Sequence, residues 1–178
     1  SRAAAEEVTS AAGAPVDDGL ALGRVEPERA VHRAHRVVEE LVAEGLRLVG
    51  ADAGREDLMA RARQLLTSAG VLVESDPATA YLVAYDAAKH AAMAILAEQN
   101  LRVSGKEGHL VMQKVLVAQF QGVFGDFDRL RRRRNELAHP TSAEDFADSG
   151  EAIRAITTAT NLVDSAAQIL ERGVLTTF

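Results

Sequence analysis

Residues 75–101, SDPATAYLVAYDAAKHAAMAILAEQNL, decide the fold class of this chain. Ser75 and Asp76 precede Pro77, and a capping side chain followed by proline is a typical start signal for a helix. Apolar residues then recur at helical spacing, at Tyr81, Tyr85, Ala88, Ala92 and Ile95. The paired alanines allow other helices to approach closely. We therefore expect a long helix over 77–101 that packs tightly against its neighbours.

The rest of the chain carries similar helical signals, and no segment is typical of a β-strand. Further helices are expected over 27–49, 55–74, 107–123, 127–138 and 143–172. Gly125 is expected to interrupt the chain between two of them, and Pro140 to end the helix before the last. The inner positions expected for the last helix are Phe146, Ser149, Ile153, Ile156, Thr160, Val163, Ala167 and Leu170. The predicted fold class is all-α, an antiparallel helical bundle.

The composition excludes several classes of protein. Hydrophobic residues make up 47% of the chain but aromatic residues only 4%, so the apolar mass is Ala, Leu and Val, which suits packed helices. The absence of cysteine excludes disulfides, thiol catalysis and cysteine zinc sites. No apolar run reaches about 18 residues and the N-terminus lacks a signal-peptide pattern, so we expect a cytoplasmic protein without a membrane span.

The charge is acidic overall but locally basic. The formal net charge is −6, from 20 basic and 26 acidic residues, which opposes the binding of a polyanion. Residues 129–134 nevertheless place five arginines in six positions. A basic patch on an acidic body is compatible with action on a nucleic acid.

Arg134 is the unusual member of this basic run. At about 100° per residue, Phe127, Leu130, Leu137 and Ala138 form one apolar stripe, and Arg134 lies in its middle. Arg129, Arg132 and Arg133 point away from this stripe. A guanidinium in an apolar stripe is costly unless it is paired or lines a cleft.

His139 ends the same segment, because the proline after it disfavours helical backbone. The helix dipole favours its cationic form, and Asn135, four residues earlier, shares its face and could orient the ring. Arg132 shares that face as well. Arg134 and His139 lie on different faces of a straight helix, so they would converge at a frayed helix end or across a two-fold axis. The structural alternative is an arginine that caps carbonyls and a histidine that only ends a helix.

The stretch Arg134-Asn135-Glu136-Leu137-Ala138-His139 resembles the motif of HEPN domains, in which an arginine and a polar residue precede a histidine. Residues 81–91 are similar to that family's Tyr- and Ala-rich helix carrying a lysine, and His109 opens the next helix after a glycine turn. The resemblance covers about 76–170. It implies a HEPN-like four- to five-helix bundle over 75–178. Residues 1–74 resemble nothing in that family, and the helical signals over 27–74 predict N-terminal helices that pack on the bundle. Residues 1–26 would form an arm with a short helix over 3–11.

The resemblance also implies a function, that of a metal-independent endoribonuclease of the toxin-antitoxin or phage-defence type. The RNA 2′-hydroxyl would attack the neighbouring phosphate to leave a 2′,3′-cyclic phosphate. His139 would act as acid and base, Arg134 would stabilise the phosphoryl group, and Asn135 would position them. Phosphate contacts that do not select sequence would come from Arg129, Arg131, Arg132 and Arg133.

No cofactor or metal is implied. The expected partners are an RNA substrate, a second copy of the chain whose motif faces the same cleft, and an antitoxin protein or a nucleotidyltransferase. Two other functions stay open: a catalytically inactive HEPN-like module that dimerises and binds nucleotide, RNA or protein, and a regulatory partner that contacts another enzyme through the N-terminal arm. The acidity and the few aromatic residues favour the inactive module.

Other residues have simpler expected roles. Tyr81 and Tyr85 are expected in the core, and His109 is expected to make a structural hydrogen bond. Lys89 and His90 are expected on the helix surface. His32 and His35 could chelate a metal as a pair, but no third ligand is evident near them in the sequence.

Overall fold

The computed structural model describes residues 27–43, 54–103, 108–173 and 175. It contains five α-helices and one 3₁₀ turn within these residues: α1 (Pro27–Ala43), α2 (Arg55–Leu72), α3 (Pro77–Glu98), α4 (Gly108–Ala138), the 3₁₀ turn (Ala143–Asp145) and α5 (Ser149–Arg172). None of the described residues belongs to a β-strand, so the all-α prediction is confirmed for this part of the chain. The expected helix over 3–11 and the expected end of α1 near residue 49 fall outside the described residues.

The start of α3 follows from its sequence. The Asp76 carboxylate accepts a hydrogen bond of 3.0 Å from the backbone N–H of Thr79, and Pro77 occupies the first turn. At the other end Gln99 caps the helix, and Asn100 takes a left-handed conformation with φ of 60°. The helix therefore ends at Glu98, slightly before the predicted end at 101.

Alanines let α3 lie at the centre of the bundle, in contact with α2, α4 and α5. Seven of them are fully buried: Ala80, Ala84, Ala87, Ala88, Ala91, Ala92 and Ala94. Because these side chains are small, the neighbouring helices approach the α3 backbone closely. Tyr81 and Tyr85 are also buried, which confirms that they belong to the core.

Helix α4 is bent at Phe120, whose φ of −137° and ψ of 50° are not helical. His109 and Phe127, on either side of the bend, both have ring centroids within 5.8 Å of the Tyr85 centroid. In a straight helix these two residues would be separated by about 27 Å along the axis. The first segment of α4 (108–119) and its second segment (121–138) therefore turn toward each other around Tyr85.

The predicted interruption of this region at Gly125 is wrong in position, since Gly125 is helical and exposed. The break lies at Phe120 instead, next to a contact between α4 and α3. Gln119 exchanges two side-chain hydrogen bonds with the buried Gln99, at 2.7 and 3.0 Å. Within α4, the ring centroids of Phe120 and Phe124 lie 6.4 Å apart. The bend thus coincides with a tertiary contact rather than with the glycine.

Helix α5 begins later than predicted because local capping interrupts the chain first. Asp145 accepts hydrogen bonds from the backbone of Thr141 and Ser142, and this closes the short 3₁₀ turn. Asp148 then caps α5 by accepting from the backbone N–H of Glu151 at 2.7 Å. The helix ends at Gly173, whose φ of 61° favours glycine.

The predicted inner face of α5 is right in part. Val163 and Leu170 are buried and Ile156 packs against the core, as expected, whereas Ile153 and the preceding Phe146 are 51% and 61% exposed. The buried residues of α5 are Ala152, Ala155, Ala159, Leu162, Val163, Ala166 and Leu170. Four of these seven are alanines, which the spacing of large apolar residues does not mark.

Candidate active site

Carboxylates neutralise four of the five arginines in the run 129–134. The ion pairs are Arg129–Asp126, Arg131–Asp128, Arg132–Asp128, Arg133–Glu136 and Arg133–Glu151. Four of these pairs lie within the second segment of α4, because acidic residues three or four positions away share its faces. A phosphate that contacted these arginines would have to compete with the carboxylates.

Asp128 pairs with two arginines of this run at once. Its carboxylate accepts hydrogen bonds from Arg132 Nε at 2.6 Å and from Arg131 Nη2 at 2.8 Å. The bond from Arg132, followed by that from Arg131, outweighs burial and holds the pKa of Asp128 below its usual value of 3.8. Asp128 is thus an anion that two guanidinium groups share.

Arg134 differs from its neighbours. None of the described carboxylates lies within ion-pair distance of Arg134. The residue lies on the apolar face of the second segment of α4. Its guanidinium carbon lies 6.0 Å from the centroid of the Tyr85 ring, and its Nη1 donates to Asn135 Oδ1 at 3.3 Å. The side chain is half-buried. Arg134 is therefore the unneutralised charge of the run.

Tyr85 joins α3 to both segments of α4. Its hydroxyl lies 2.8 Å from Nδ1 of His109, and its ring packs 5.5 Å from Phe127 between centroids. Burial raises the pKa of the Tyr85 phenol to about 12, so the phenol is protonated at neutral pH. The contact confirms the prediction that His109 makes a structural hydrogen bond near the start of its helix.

The surroundings of His109 favour its neutral form. Burial lowers the pKa of this imidazole, and the nearby positive charges of Lys89 and Arg134 lower it further. When Nδ1 accepts the Tyr85 hydroxyl hydrogen, Nε2 carries the ring proton. The imidazole then presents an N–H donor on the side away from Tyr85.

Lys89 and His90 are less exposed than predicted. Lys89 Nζ donates to Asp86 Oδ1 at 2.9 Å with only 22% of its side chain exposed, and His90 Nδ1 lies 2.7 Å from the backbone oxygen of Asp86. Lys89 thus belongs to the surroundings of His109. The sequence contained a signal for this, since Tyr85 and Lys89 are four residues apart and share one face of α3.

Asn135 and His139 are exposed at the end of α4. The backbone N–H of His139 bonds to the Glu136 oxygen at 3.1 Å and α4 ends at Ala138, as expected before a proline. Asn135 is bonded to Arg134, and within the described part of the chain it has no hydrogen bond to the His139 ring. The structure thus joins Asn135 to the guanidinium, and no described hydrogen bond connects Arg134 with His139 in one chain.

A groove of about 880 Å³ runs between α3, the second segment of α4 and α5. Arg129, Arg132 and Arg133 line it together with Arg154, but so do Asp126, Asp128, Glu136 and Glu151. Arg134 is not among the lining residues. The groove therefore has mixed charge. Of the predicted phosphate-binding arginines, Arg129, Arg132 and Arg133 line it, whereas Arg131 lies, like Arg134, near Tyr85.

Among the described residues no group of three His, Asp or Glu side chains is suited to hold a metal ion. His32 and His35 are exposed on α1. None of the described helices combines the length and the apolarity that crossing a membrane requires. Comparison of the chain with protein-family models, with curated proteins and with solved structures found no match.

Proposed function

We propose that this chain is a HEPN-like, metal-independent endoribonuclease of the toxin-antitoxin or phage-defence type. The observation that carries the proposal is the state of Arg134, a half-buried guanidinium without a described carboxylate partner, held over Tyr85 and bonded to Asn135. A guanidinium without a carboxylate partner keeps donors that can bind an anion. The phosphodiester of RNA is such an anion.

In the proposed reaction Arg134 binds the scissile phosphate and stabilises the charge that develops on it. A planar guanidinium offers two parallel N–H donors to two phosphate oxygens. The 2′-oxygen attacks phosphorus as its proton passes to a base, and the bond from phosphorus to the 5′-oxygen breaks as that oxygen receives a proton from an acid. Asn135 holds the guanidinium, because its Oδ1 accepts from Arg134 Nη1.

His139 supplies the proton transfers in this proposal. Its ring is exposed at the C-terminus of α4, where an imidazole suits acid–base work near neutral pH. One reaction needs both an acid and a base, and a homodimer with two such motifs at one cleft would supply two His139 rings. The proposal therefore includes a second copy of the chain besides the RNA. It also includes an antitoxin or nucleotidyltransferase partner.

A second candidate function rests on the compensated arginines. Because carboxylates already neutralise Arg129, Arg131, Arg132 and Arg133, the surface beside the motif attracts a polyanion weakly. That observation favours a catalytically inactive HEPN-like module that dimerises and binds nucleotide, RNA or protein.

RNA cleavage in EDTA separates the two candidates. The purified protein is incubated with total tRNA and ribosomal RNA, beside the variants His139→Ala and Arg134→Gln. The nuclease proposal expects cleavage by the parent that persists in EDTA and falls at least about a hundredfold in each variant. Arg63→Gln, on the exposed face of α2, is the control and should cleave like the parent. Absence of cleavage by a folded, dimeric parent would favour the inactive module.

A further inference from the structure

We propose that Arg134 binds a phosphate group together with Lys89 and His109, in a site built around Tyr85. These four residues, which we call the Tyr85 cluster, come from α3 and from both segments of α4. The inference rests on the proposed function, since it names the groups that would hold the RNA phosphate. It extends the site beyond the motif at the end of α4.

The bend of α4 creates the cluster. His109 lies near the start of α4 and Arg134 near its end, yet the first contacts the Tyr85 hydroxyl at 2.8 Å and the second lies over the Tyr85 ring at 6.0 Å. Lys89 is one turn of α3 beyond Tyr85. Two side chains from opposite ends of α4 therefore meet at one buried tyrosine, and Lys89 follows one turn further along α3.

The cluster carries an excess of positive charge. Lys89 is paired with Asp86, and Arg131 nearby is paired with Asp128, whereas Arg134 has no described carboxylate partner. The electrostatic effect is visible on His109, whose pKa is lowered first by burial and then by Lys89 and Arg134, against the opposite effect of Asp86. One added anion would compensate this charge.

Hydrogen-bond donors remain for such an anion. The Lys89 ammonium has three hydrogens and makes one described bond, to Asp86, and the Arg134 guanidinium makes one described bond, to Asn135. His109 Nε2 carries a proton when Nδ1 accepts from Tyr85. A phosphate oxygen accepts from donors of these kinds, and charge-assisted bonds of this type are the strong ones.

The chemical class of the ligand is a phosphate group, either of an RNA phosphodiester or of a free anion. Its binding has a specific effect on His109, because a neighbouring negative charge favours the imidazolium. A bound phosphate should therefore raise the pKa of His109 from its lowered value. This effect distinguishes a phosphate in the Tyr85 cluster from one held only at His139.

The test is an NMR titration of the histidine rings against pH, with and without a ligand. The two probes are inorganic phosphate and the dinucleotide thymidylyl-thymidine, which has a phosphodiester but no 2′-hydroxyl and is not cleaved by the proposed reaction. We expect the His109 pKa to rise with the ligand. In Lys89→Gln and in Arg134→Gln the affinity should fall about tenfold or more, which corresponds to about 1.4 kcal/mol. Lys114→Gln, at an exposed position of α4, is the control and should bind like the parent.

Each result of the NMR titration either supports or overturns the proposed phosphate site. A His109 response to the dinucleotide supports the cluster as an RNA phosphate site, and a response to inorganic phosphate alone supports it as a site for the free anion. A response of His139 without His109, or no response of either ring, would overturn the proposal. Since the titration measures binding, it can succeed when RNA cleavage fails, and cleavage can be observed when the titration fails.

Discussion

Arg133 of α4 donates from Nε and Nη2 to the two carboxylate oxygens of Glu151 on α5, at 2.7 and 3.1 Å. Both side chains are less than a quarter exposed, at 22% and 24%, so water screens this pair less than a surface ion pair. The bidentate contact is also the described ion pair that fastens the second segment of α4 to α5. It explains why Arg133 is held in place independently of any RNA.

Replacing Glu151 with Gln should therefore destabilise the fold. The variant keeps the size of the side chain but leaves the half-buried Arg133 without its bidentate partner, which costs about 1–3 kcal/mol. Urea unfolding followed by circular dichroism measures the change. Asp126→Asn is the matched control, because it removes the exposed Arg129 pair and should change the free energy of unfolding by less than about 0.5 kcal/mol. Equal effects of the two variants would contradict this account of the α4–α5 contact.

The packing of α4 on α3 beside the bend should depend on Gln119. Gln119→Ala removes the two described side-chain hydrogen bonds to Gln99, which is fully buried, and the loss of hydrogen bonds to a buried amide costs about 1–3 kcal/mol. Thermal unfolding should show a correspondingly lower midpoint. Gln64→Ala on α2, which loses an exposed side-chain contact to Arg61, should have little effect. A Gln119→Ala protein as stable as the parent would show that the Gln–Gln contact does not stabilise this packing.

Asp128 should make the stability of the protein sensitive to acid. Because hydrogen bonds from Arg132 and then Arg131 lower its folded-state pKa below 3.8, it stabilises the fold above that pH, and the contribution is lost as pH falls through the folded-state pKa. Asp128→Asn should therefore be less stable than the parent at pH 7, and the difference should shrink below about pH 3.8. Urea unfolding at pH 7 and pH 3 measures both differences. A difference that stays constant between these pH values would be inconsistent with the ionised pairing.

The inner face of α5 can be tested directly. Leu162, which the spacing does not place inside, is 3% exposed, and Ile153, which it does, is 51% exposed. Leu162→Ala should cost about 2–5 kcal/mol because it leaves a cavity, whereas Ile153→Ala should change the stability by less than about 0.5 kcal/mol. Chemical unfolding of the two variants gives the comparison. A larger loss for Ile153→Ala would favour the face that the spacing of large apolar residues predicts.

Helix positions were largely predictable from local signals. Pro77 after Asp76 marks the start of α3, and Pro140 requires α4 to end before it, because capping and proline act within one turn. The inner face of α5 was predictable only in part. The spacing of large residues marks the buried Val163 and Leu170 but also the exposed Ile153. It misses the buried alanines of α5, because their burial depends on packing against a distant part of the chain.

The candidate site was also predictable only where it depends on local signals. The position of Arg134 in an apolar stripe was visible in the sequence, because it follows from helical periodicity alone. The pairing of its neighbours with Asp126, Asp128 and Glu136 follows from spacings of three and four. The convergence of His109 and Arg134 on Tyr85 could not be predicted, because it depends on the bend at Phe120, which lies beside a contact with the distant Gln99 and which no proline or glycine marks.

The proposed cleavage takes place at Arg134 and His139. The decisive measurement is mass spectrometry of the fragment ends after RNA is incubated with the protein in EDTA. The proposal predicts 2′,3′-cyclic phosphate and 5′-hydroxyl ends from the parent, and no fragments when the cleaved nucleotide is 2′-deoxy. Fragments with 3′-hydroxyl ends, or cleavage that survives in Arg134→Gln/His139→Ala, would contradict it.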